Sequence, residues 1–172
     1  LMRNFSLTVA YVGSGTSYIM GAYNWNGSDP GPPATEASRR VIPRWNNINF
    51  RSPFGHSTYH GMELQLEKRY SAGLSFSASY TWSHSLDNIS EQFGSGGGGL
   101  QSYKDFASAR GNSNFDLRHR FVAGALWEMP LGKGRRWMNR GGVVNHLLGG
   151  WQLSGMTAIQ TGHYFTVTVP NA

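Results

Sequence analysis

Strict alternation of apolar and small polar side chains over residues 74–83 constrains this chain more than any other feature. Leu74, Phe76, Ala78, Tyr80 and Trp82 alternate with Ser75, Ser77, Ser79, Thr81 and Ser83. A period of two is the period of a β-strand, whose successive side chains point to opposite faces. The segment also has the length of a strand that crosses a bilayer, which is about 9–11 residues.

Comparable patterns predict further strands, which give about eight in total. With residues 74–82 they cover residues 5–11, 18–25, 48–51, 59–69, 118–129, 151–159 and 163–169. In residues 59–69, the alternation places Met62, Leu64 and Leu66 on one face, and Gly61, Glu63, Gln65 and Glu67 on the other. In residues 118–129, one face carries Phe121, Ala123, Ala125 and Trp127.

Turn and loop signals separate these strands. Short turns are predicted at residues 13–15, 52–55 and 70–73. Prolines 30, 32 and 33 remove strand hydrogen-bond donors, so residues 26–44 are predicted to form a loop. A much longer loop is predicted for residues 84–116, which include the glycine-rich run 94–99. Residues 143–148 are predicted to form a short helical turn.

Composition narrows the class of protein. Charged residues make up 14% of the chain and aromatic residues 13%, which is the opposite of the balance in disordered proteins. The absence of cysteine excludes a disulfide scaffold, a cysteine-ligated metal site and thiol catalysis. The net charge is +6, but the basic residues form no nucleic-acid-binding motif. No apolar run is long enough for a transmembrane helix.

Two all-β classes fit these features, a membrane barrel and a soluble sandwich. Aromatic residues near strand ends, faces of Ser, Thr, Gln and Glu, and a very long loop beside short turns favour the barrel. The sequence therefore predicts an all-β fold, an antiparallel up-and-down transmembrane β-barrel segment with about eight strands of a larger barrel. A soluble or surface β-sandwich that serves as a binding or adhesion module remains the alternative.

Several motifs, in order along the chain, resemble the C-terminal barrel region of TonB-dependent receptor-like outer-membrane proteins. The nearest group is the Oar-like one, which contains a carboxypeptidase-regulatory-like domain. The shorter motifs are residues 9–14, 57–62, 67–69 with 73–75, and 79–83. The most specific are Asn114-Phe115-Asp116-Leu117-Arg118-His119-Arg120-Phe121 and Gly149-Gly150-Trp151-Gln152-Leu153-Ser154-Gly155.

The resemblance implies a function in uptake. Such receptors have an N-terminal plug inside a barrel of about 22 strands, bind a ligand, and admit it with energy from the proton-motive force. Residues 1–172 are then expected to be part of one barrel domain, without the plug, in the outer membrane of a Gram-negative cell. The expected partners are outer-membrane lipid, the TonB energy-transducing complex through the missing N-terminal part, and a small ligand, glycan or peptide; nucleic acid is not expected.

Loop length predicts the orientation. The long loop 84–116 is expected on the extracellular side, where it contacts ligand, and the turn 70–73 on the periplasmic side. Residues 130–149 then also lie on the periplasmic side. A barrel-anchored surface or matrix assembly protein without transport is a further alternative.

The alternation assigns site residues to the two faces of the strands. We predict no catalytic residue, no cofactor and no metal site, and therefore no enzyme. The residues predicted to face the lumen are Ser75, Ser77, Ser79, Thr81, Glu63, Gln65, Arg118 and Arg120. The residues predicted to face lipid are Met62, Leu64, Leu66, Leu74, Phe76, Tyr80, Trp82, Phe121, Trp127 and Trp151. Arg118 and Arg120 are expected to pair with Glu63 or Glu67.

Overall fold

The structure, a computed structural model, describes residues 4–29, 31–90, 100, 102–138 and 142–165. Its strands are β1 (Phe5–Asn24), β2 (Asn49–Ser71), β3 (Leu74–Asp87), β4 (Gly111–Asn112), β5 (His119–Glu128) and β6 (Gln152–Gln160). Two short 3₁₀ helices, Pro33–Thr35 and Ala37–Arg39, lie between β1 and β2, and one helix, α1 (Val143–Leu148), precedes β6. None of the described helices combines the length and the apolar character needed to span a membrane.

The strands form one six-stranded antiparallel sheet in the order β1-β2-β3-β5-β6, with the short β4 paired to β3. The directions of β1 and β2 follow from two backbone hydrogen bonds, Arg69 N to Asn4 O and Trp25 N to Ile48 O. Within the described residues, β1 and β6 are the two edges of the sheet. The predicted all-β, up-and-down antiparallel architecture is therefore confirmed.

A two-residue turn joins β2 to β3. Ala72 and Gly73 both have positive φ, 53° and 79°, as a type I′ turn requires. Lys68 Nζ donates hydrogen bonds to the carbonyl oxygens of Ser71 and Leu74 at 2.9 and 2.7 Å, which ties the two strand ends together. The turn predicted at residues 70–73 is confirmed.

The first two strands are longer than predicted, because residues taken as turns continue the sheet. β1 passes through Gly13-Ser14-Gly15, and β2 passes through residues 52–55. Pairing between the strands overrides these local turn signals, since glycine accepts an extended backbone as readily as a turn. At Gly55, a Cβ atom would lie 2.7 Å from the Cβ of Ile19, so glycine here permits close approach of the strands. Four of the predicted strands thus merge into two, and the described residues form six strands.

The other boundaries shift less. β3 extends to Asp87 and β4 pairs with its end, so both ends of the predicted loop 84–116 belong to the sheet. The glycine run 94–99 lies outside the described residues. The described residues within 26–44 contain no strand, and α1 forms at 143–148, both as predicted. Residues 161–165 are not in a strand, and the rest of the strand predicted at 163–169 lies outside the described residues.

The described part of the chain has no buried apolar side chain. Its buried side chains are all polar, namely those of Asn26, Ser83, Ser85, Asp87, Ser113 and Asp116. Large apolar side chains are exposed instead, for example Leu7 at 64% and Ile159 at 65%. A soluble sandwich buries the inner faces of its sheets in an apolar core, so this distribution speaks against the sandwich alternative.

The chain divides into two compact units. The first comprises the described residues within 1–11, 61–82 and 118–161, and the second those within 12–60, 83–117 and 162–172. The first unit contains the 72–73 turn, β5, α1 and β6. The second contains β4 and the described parts of the two long loops.

A charge placed at position 76 tests which side of the sheet meets lipid. For Phe76→Arg in the full-length protein we expect a loss of about 2–4 kcal/mol in the free energy of unfolding from a bilayer, because a lipid-facing guanidinium near the midplane is poorly solvated. Ser77→Arg, one residue further along β3, is the matched control and should change this free energy little. Equal losses in the two variants would contradict the facing assignment.

Candidate functional site

The register of β3, β5 and β6 sorts alternate residues onto two faces. Directly opposed residues in an antiparallel sheet share a face. Phe76 pairs with Ala125, and Ser77 pairs with Gly124. The first face, here called the aromatic face, carries Leu74, Phe76, Ala78, Tyr80, Trp82, Phe121, Trp127, Leu153 and Ile159. The opposite face, here called the serine face, carries Ser75, Ser77, Ser79, Thr81, Arg120, Gly124, Ser154 and Gln160, with Val122, Leu126 and Met156 among them.

Trp151 extends the aromatic face beyond the start of β6. Met129 N donates to Trp151 O at 2.9 Å, which continues the β5–β6 register by one pair. The indole Nε1 of Trp151 donates to Leu147 O at 2.7 Å. Its ring is fixed against α1 while 56% of the residue remains exposed.

Ring contacts show which residues of β2 belong to the aromatic face. The ring centroids of Phe5 and Phe76 are 6.1 Å apart, and the Lys68 ammonium lies 5.9 Å from the Phe5 centroid. These three side chains therefore share a face, and alternation along β2 adds Leu66, Leu64 and Met62 to it. On the other side of β2, Gln65 Nε2 donates to Glu67 Oε1 at 2.6 Å. By the same alternation, Glu63 lies on this side of β2 together with Gln65 and Glu67.

The structure thus groups the predicted lumen-facing and lipid-facing residues of the strands as the alternation indicated. Which of the two faces contacts lipid stays a prediction at this point. An open groove of about 760 Å³ crosses β2, β3, β5 and β6 within the first unit, and it is lined by residues 67–69, 75–77, 124–126 and 154–156. Serine and glycine at positions 75, 77, 124, 154 and 155 leave this space unfilled.

The prediction that Arg120 forms an ion pair with Glu63 or Glu67 is wrong. Arg120 lies on the serine face opposite Thr81 and Gln160. In the described part of the chain no ion pair joins it to Glu63 or Glu67; the Glu67 carboxylate accepts from Gln65 instead. The alternation gives the face of a residue but not which strands are neighbours, and β3 lies between β2 and β5 in this sheet. Arg118 lies just before β5, and its facing stays a prediction.

A buried carboxylate anchors the end of the long loop in the second unit. Asp116 is only 2% exposed. Its Oδ1 accepts a hydrogen bond from the backbone N of Ser85 at 2.8 Å, and its Oδ2 lies 3.2 Å from His84 Nδ1. Ser83 Oγ donates to Leu117 O at 2.8 Å. The motifs at 79–83 and 114–121 therefore adjoin here, and they fasten the returning loop to the end of β3.

A second set of hydroxyl contacts reinforces this anchor. The hydroxyls of Ser85 and Ser113 are 2.8 Å apart, and both residues are buried. Ser90 Oγ donates to the carboxylate of Asp87 at 3.0 Å and accepts from Asn114 N at 3.0 Å. Buried polar groups that are hydrogen-bonded in this way specify one local geometry, because an unpaired group here would be costly.

An aromatic cluster holds the described part of the loop between residues 102 and 110. The rings of Phe54 and Phe106 stack with centroids 4.4 Å apart, and Tyr23 meets Phe106 edge-on at 5.3 Å. Trp25 lies 6.4 Å from Tyr103. Such pairs stabilise by about 0.5–1.5 kcal/mol each beyond the area that they bury.

An exposed ion pair joins the two long loops of the second unit. Lys104 Nζ donates to both oxygens of the Asp29 carboxylate at 2.9 and 2.8 Å. The hydrogen bond from Asp29 raises the pKa of Lys104 above its ordinary value, and desolvation opposes this shift. The ammonium therefore stays charged throughout the neutral range, and the contribution that its charge makes to stability is lost as the pH rises through its raised pKa.

Asn26 is the structural residue that sequence reasoning missed. It is fully buried, and its side-chain Nδ2 donates to the carbonyl oxygens of Ile42, Trp45 and Asn46. Its Oδ1 accepts from Ile42 N at 2.8 Å. One side chain thus satisfies four backbone groups of the 26–48 loop. An Asn directly after a strand is a known turn signal, but it does not reveal such distant partners.

Among the described residues, no group of three or more His, Asp or Glu side chains is arranged to hold a metal ion.

A sheet with polar buried residues, exposed apolar side chains and long anchored loops has the features of a transmembrane barrel. A family model described as an outer membrane beta barrel domain matches residues 1–172. The chain belongs to this family, and its location is the outer membrane of Gram-negative cells. Comparison with curated proteins and with solved structures gave no match.

Removing the Asp116 carboxylate tests the loop anchor. In Asp116→Ala, the buried N–H of Ser85 loses its acceptor, so we expect a local loss of about 1–3 kcal/mol. Hydrogen exchange of the amides of Ser85 and Ser113 should become faster, while the amides of β6 should be unaffected. Asp116→Asn keeps an oxygen at the Oδ1 position and should restore most of the protection. If Asp116→Ala leaves exchange at Ser85 unchanged, the carboxylate is not the anchor.

Proposed function

We propose that this chain forms part of the barrel wall of a TonB-dependent receptor-like outer-membrane transporter. Such a transporter takes up a ligand with energy from the inner membrane. One observation supports the barrel role most directly, namely that the described apolar side chains are exposed while the buried ones are polar. The TonB-dependent character is supported by the ordered motifs, two of which adjoin around Asp116 and Ser83.

In this proposal the aromatic face contacts lipid and the serine face lines the lumen. Trp82 and Trp127 are 42% and 39% exposed, and as amphipathic rings they suit the boundary between hydrocarbon and headgroups. Serine and threonine hydroxyls on the other face can bond to water in a channel. The residues predicted to face the lumen and lipid keep those roles.

The long loop is the proposed site of ligand contact. Its described residues are fixed by the aromatic cluster, the Asp29–Lys104 pair and the Asp116 anchor. A binding loop held by a rigid framework loses less conformational freedom when a ligand binds. The chemical class of the ligand, whether siderophore, vitamin, glycan or peptide, does not follow from the fold.

The proposed role of this stretch is that of a conduit and scaffold, without catalysis and without a cofactor. Its partners are outer-membrane lipid, the transported ligand, and the energy-transducing complex, which a TonB box elsewhere in the protein would contact. No sequence within residues 1–172 is assigned to that contact.

Cysteine labelling tests the lumen assignment, since the chain has no native cysteine. In outer-membrane vesicles that contain the full-length protein, Ser77→Cys should react with a charged, membrane-impermeant thiol reagent. Phe76→Cys, on the aromatic face of the same strand, should react at least tenfold more slowly, because a thiol in lipid is protected from ionisation and from the reagent. Similar rates at both positions would contradict the assignment.

The same label tests energy coupling in whole cells. If a plug moves when the receptor is energised, the labelling rate at Ser77→Cys should change when a protonophore dissipates the proton-motive force. Deleting the energy-transducing complex should have the same effect. A labelling rate that responds to neither treatment would favour a barrel-anchored assembly protein over a coupled transporter.

A further inference from the structure

The connection between β5 and β6 is folded rather than an open turn. Trp137 N donates to Pro130 O at 3.0 Å, and Gly132 N donates to Trp137 O at 3.1 Å, which closes a small loop. Lys133 N donates to Asn145 Oδ1 at 2.7 Å, so this loop is joined to α1. We call the described residues of this connection, 130–138 and 142–151, the β5–β6 knob.

The knob exposes large apolar side chains. These are Trp137 at 52%, Met138 at 47%, Val143 at 74%, Leu147 at 65% and Trp151 at 56% exposure. Trp151 is hydrogen-bonded to Leu147 O, so two of these side chains belong to one packed segment. Apolar residues concentrated in one short ordered segment indicate a surface that contacts another molecule or a membrane.

The charge of the same segment is entirely positive. The described residues of the knob include Lys133, Arg135 and Arg136, and no Asp or Glu. The guanidinium of Arg136 lies 5.8 Å from the centre of the Trp137 ring, and Arg135 reaches back to Glu128 of β5 at 3.4 Å. A basic surface that is mixed with exposed tryptophan and aliphatic side chains matches the headgroup region of an anionic bilayer.

The knob is continuous with the aromatic face. Trp151 precedes β6 and lies on the same face as Leu153, two residues later. The carbonyl oxygen of Trp151 accepts a hydrogen bond from Met129 N. Gly73 O accepts from Glu128 N at 2.7 Å, so the knob begins beside the two-residue 72–73 turn. Two-residue turns are typical of the periplasmic side of outer-membrane barrels. The leaflet on that side consists of phospholipid.

We infer that the β5–β6 knob is a membrane-interface anchor that binds anionic phospholipid of the periplasmic leaflet. Trp137, Met138 and Leu147 enter the boundary between headgroups and acyl chains, and Lys133 and Arg136 contact lipid phosphate. This inference rests on the proposed orientation of the aromatic face toward lipid. It also explains why the connection is longer than an ordinary periplasmic turn.

Spin labels at single cysteines test insertion in the full-length protein, reconstituted in vesicles of phosphatidylglycerol and phosphatidylcholine. A nitroxide at Met138→Cys should be accessible to oxygen and protected from a water-soluble nickel complex. A nitroxide at Ala72→Cys, on the solvated tip of the 72–73 turn, should be accessible to the nickel complex. If positions 138 and 72 are equally accessible to nickel, the knob does not insert.

A third label separates the failure of this inference from the failure of the proposed orientation. A nitroxide at Phe76→Cys should lie in hydrocarbon. If positions 76 and 138 are both accessible to the nickel complex, the orientation is wrong and the inference fails with it. If only position 138 is accessible to the nickel complex, the inference is overturned and the proposed orientation stands.

Lipid retention tests the headgroup preference. In native mass spectrometry of the detergent-solubilised full-length protein, phosphatidylglycerol should be retained in preference to phosphatidylcholine and to lipid A. The double variant Lys133→Gln/Arg136→Gln should retain it at least about tenfold less well, because each basic residue near the surface contributes to the attraction. Lys133→Arg/Arg136→Lys keeps the charge and should retain most of it. Equal retention of all three lipids, a preference for lipid A, or an unaffected Gln variant would each overturn the inference.

Discussion

Hydrogen bonding between neighbouring antiparallel strands is the constraint on which the rest of this structure depends. Inside a bilayer, no water is present to satisfy a backbone N–H or C=O, so each strand needs a partner along its membrane-spanning length. Between its two edges the sheet meets this requirement, since β2, β3 and β5 each lie between two neighbouring strands. Once backbone groups are paired, the side chains of alternate residues are free to meet two different surroundings.

The two compact units solve different problems. In the first unit, paired strands present an aromatic face and a serine face, and none of their described apolar side chains is buried. In the loops of the second unit, side chains rather than strand ladders satisfy backbone groups. Asn26 does so for the 26–48 loop, and Asp116 with Ser85 does so where the long loop returns. The polar residues of the second unit therefore take the place that an apolar core has in a soluble domain.

The sequence predicted the fold class, the β2–β3 turn, α1 and the membership of the two faces, because each depends on local pattern. Alternation over residues 74–83 is such a pattern, and the register confirms its grouping. The lengths of the strands were predicted less accurately than these features. Gly13-Ser14-Gly15 can form a turn or continue the strand. It continues β1 because β2 lies alongside, and this pairing involves residues that are distant in the sequence.

The same limit explains the errors at single residues. The face predicted for Arg120 is confirmed but its predicted partner is wrong, because a period of two does not show that β3 lies between β2 and β5. The anchoring role of Asp116 is not visible in its motif, since its partner Ser85 N is a backbone group 31 residues away. When the partner of a side chain lies far away in the sequence, the pair can be identified only from the three-dimensional structure.

The absence of buried apolar side chains among the described residues changes how this protein should respond to sequence variation. In a soluble core, trimming a large side chain leaves a rigid void, and the void adds to the loss of stability. Fluid acyl chains fill the space that a smaller residue leaves on a lipid-facing strand. Positions such as Leu7 or Ile159, exposed at 64% and 65%, should therefore accept apolar residues of many sizes. The small polar positions Ser85, Ser113 and Asp116 should accept few, so the interior positions that tolerate the least exchange in the described part of this chain are polar rather than apolar.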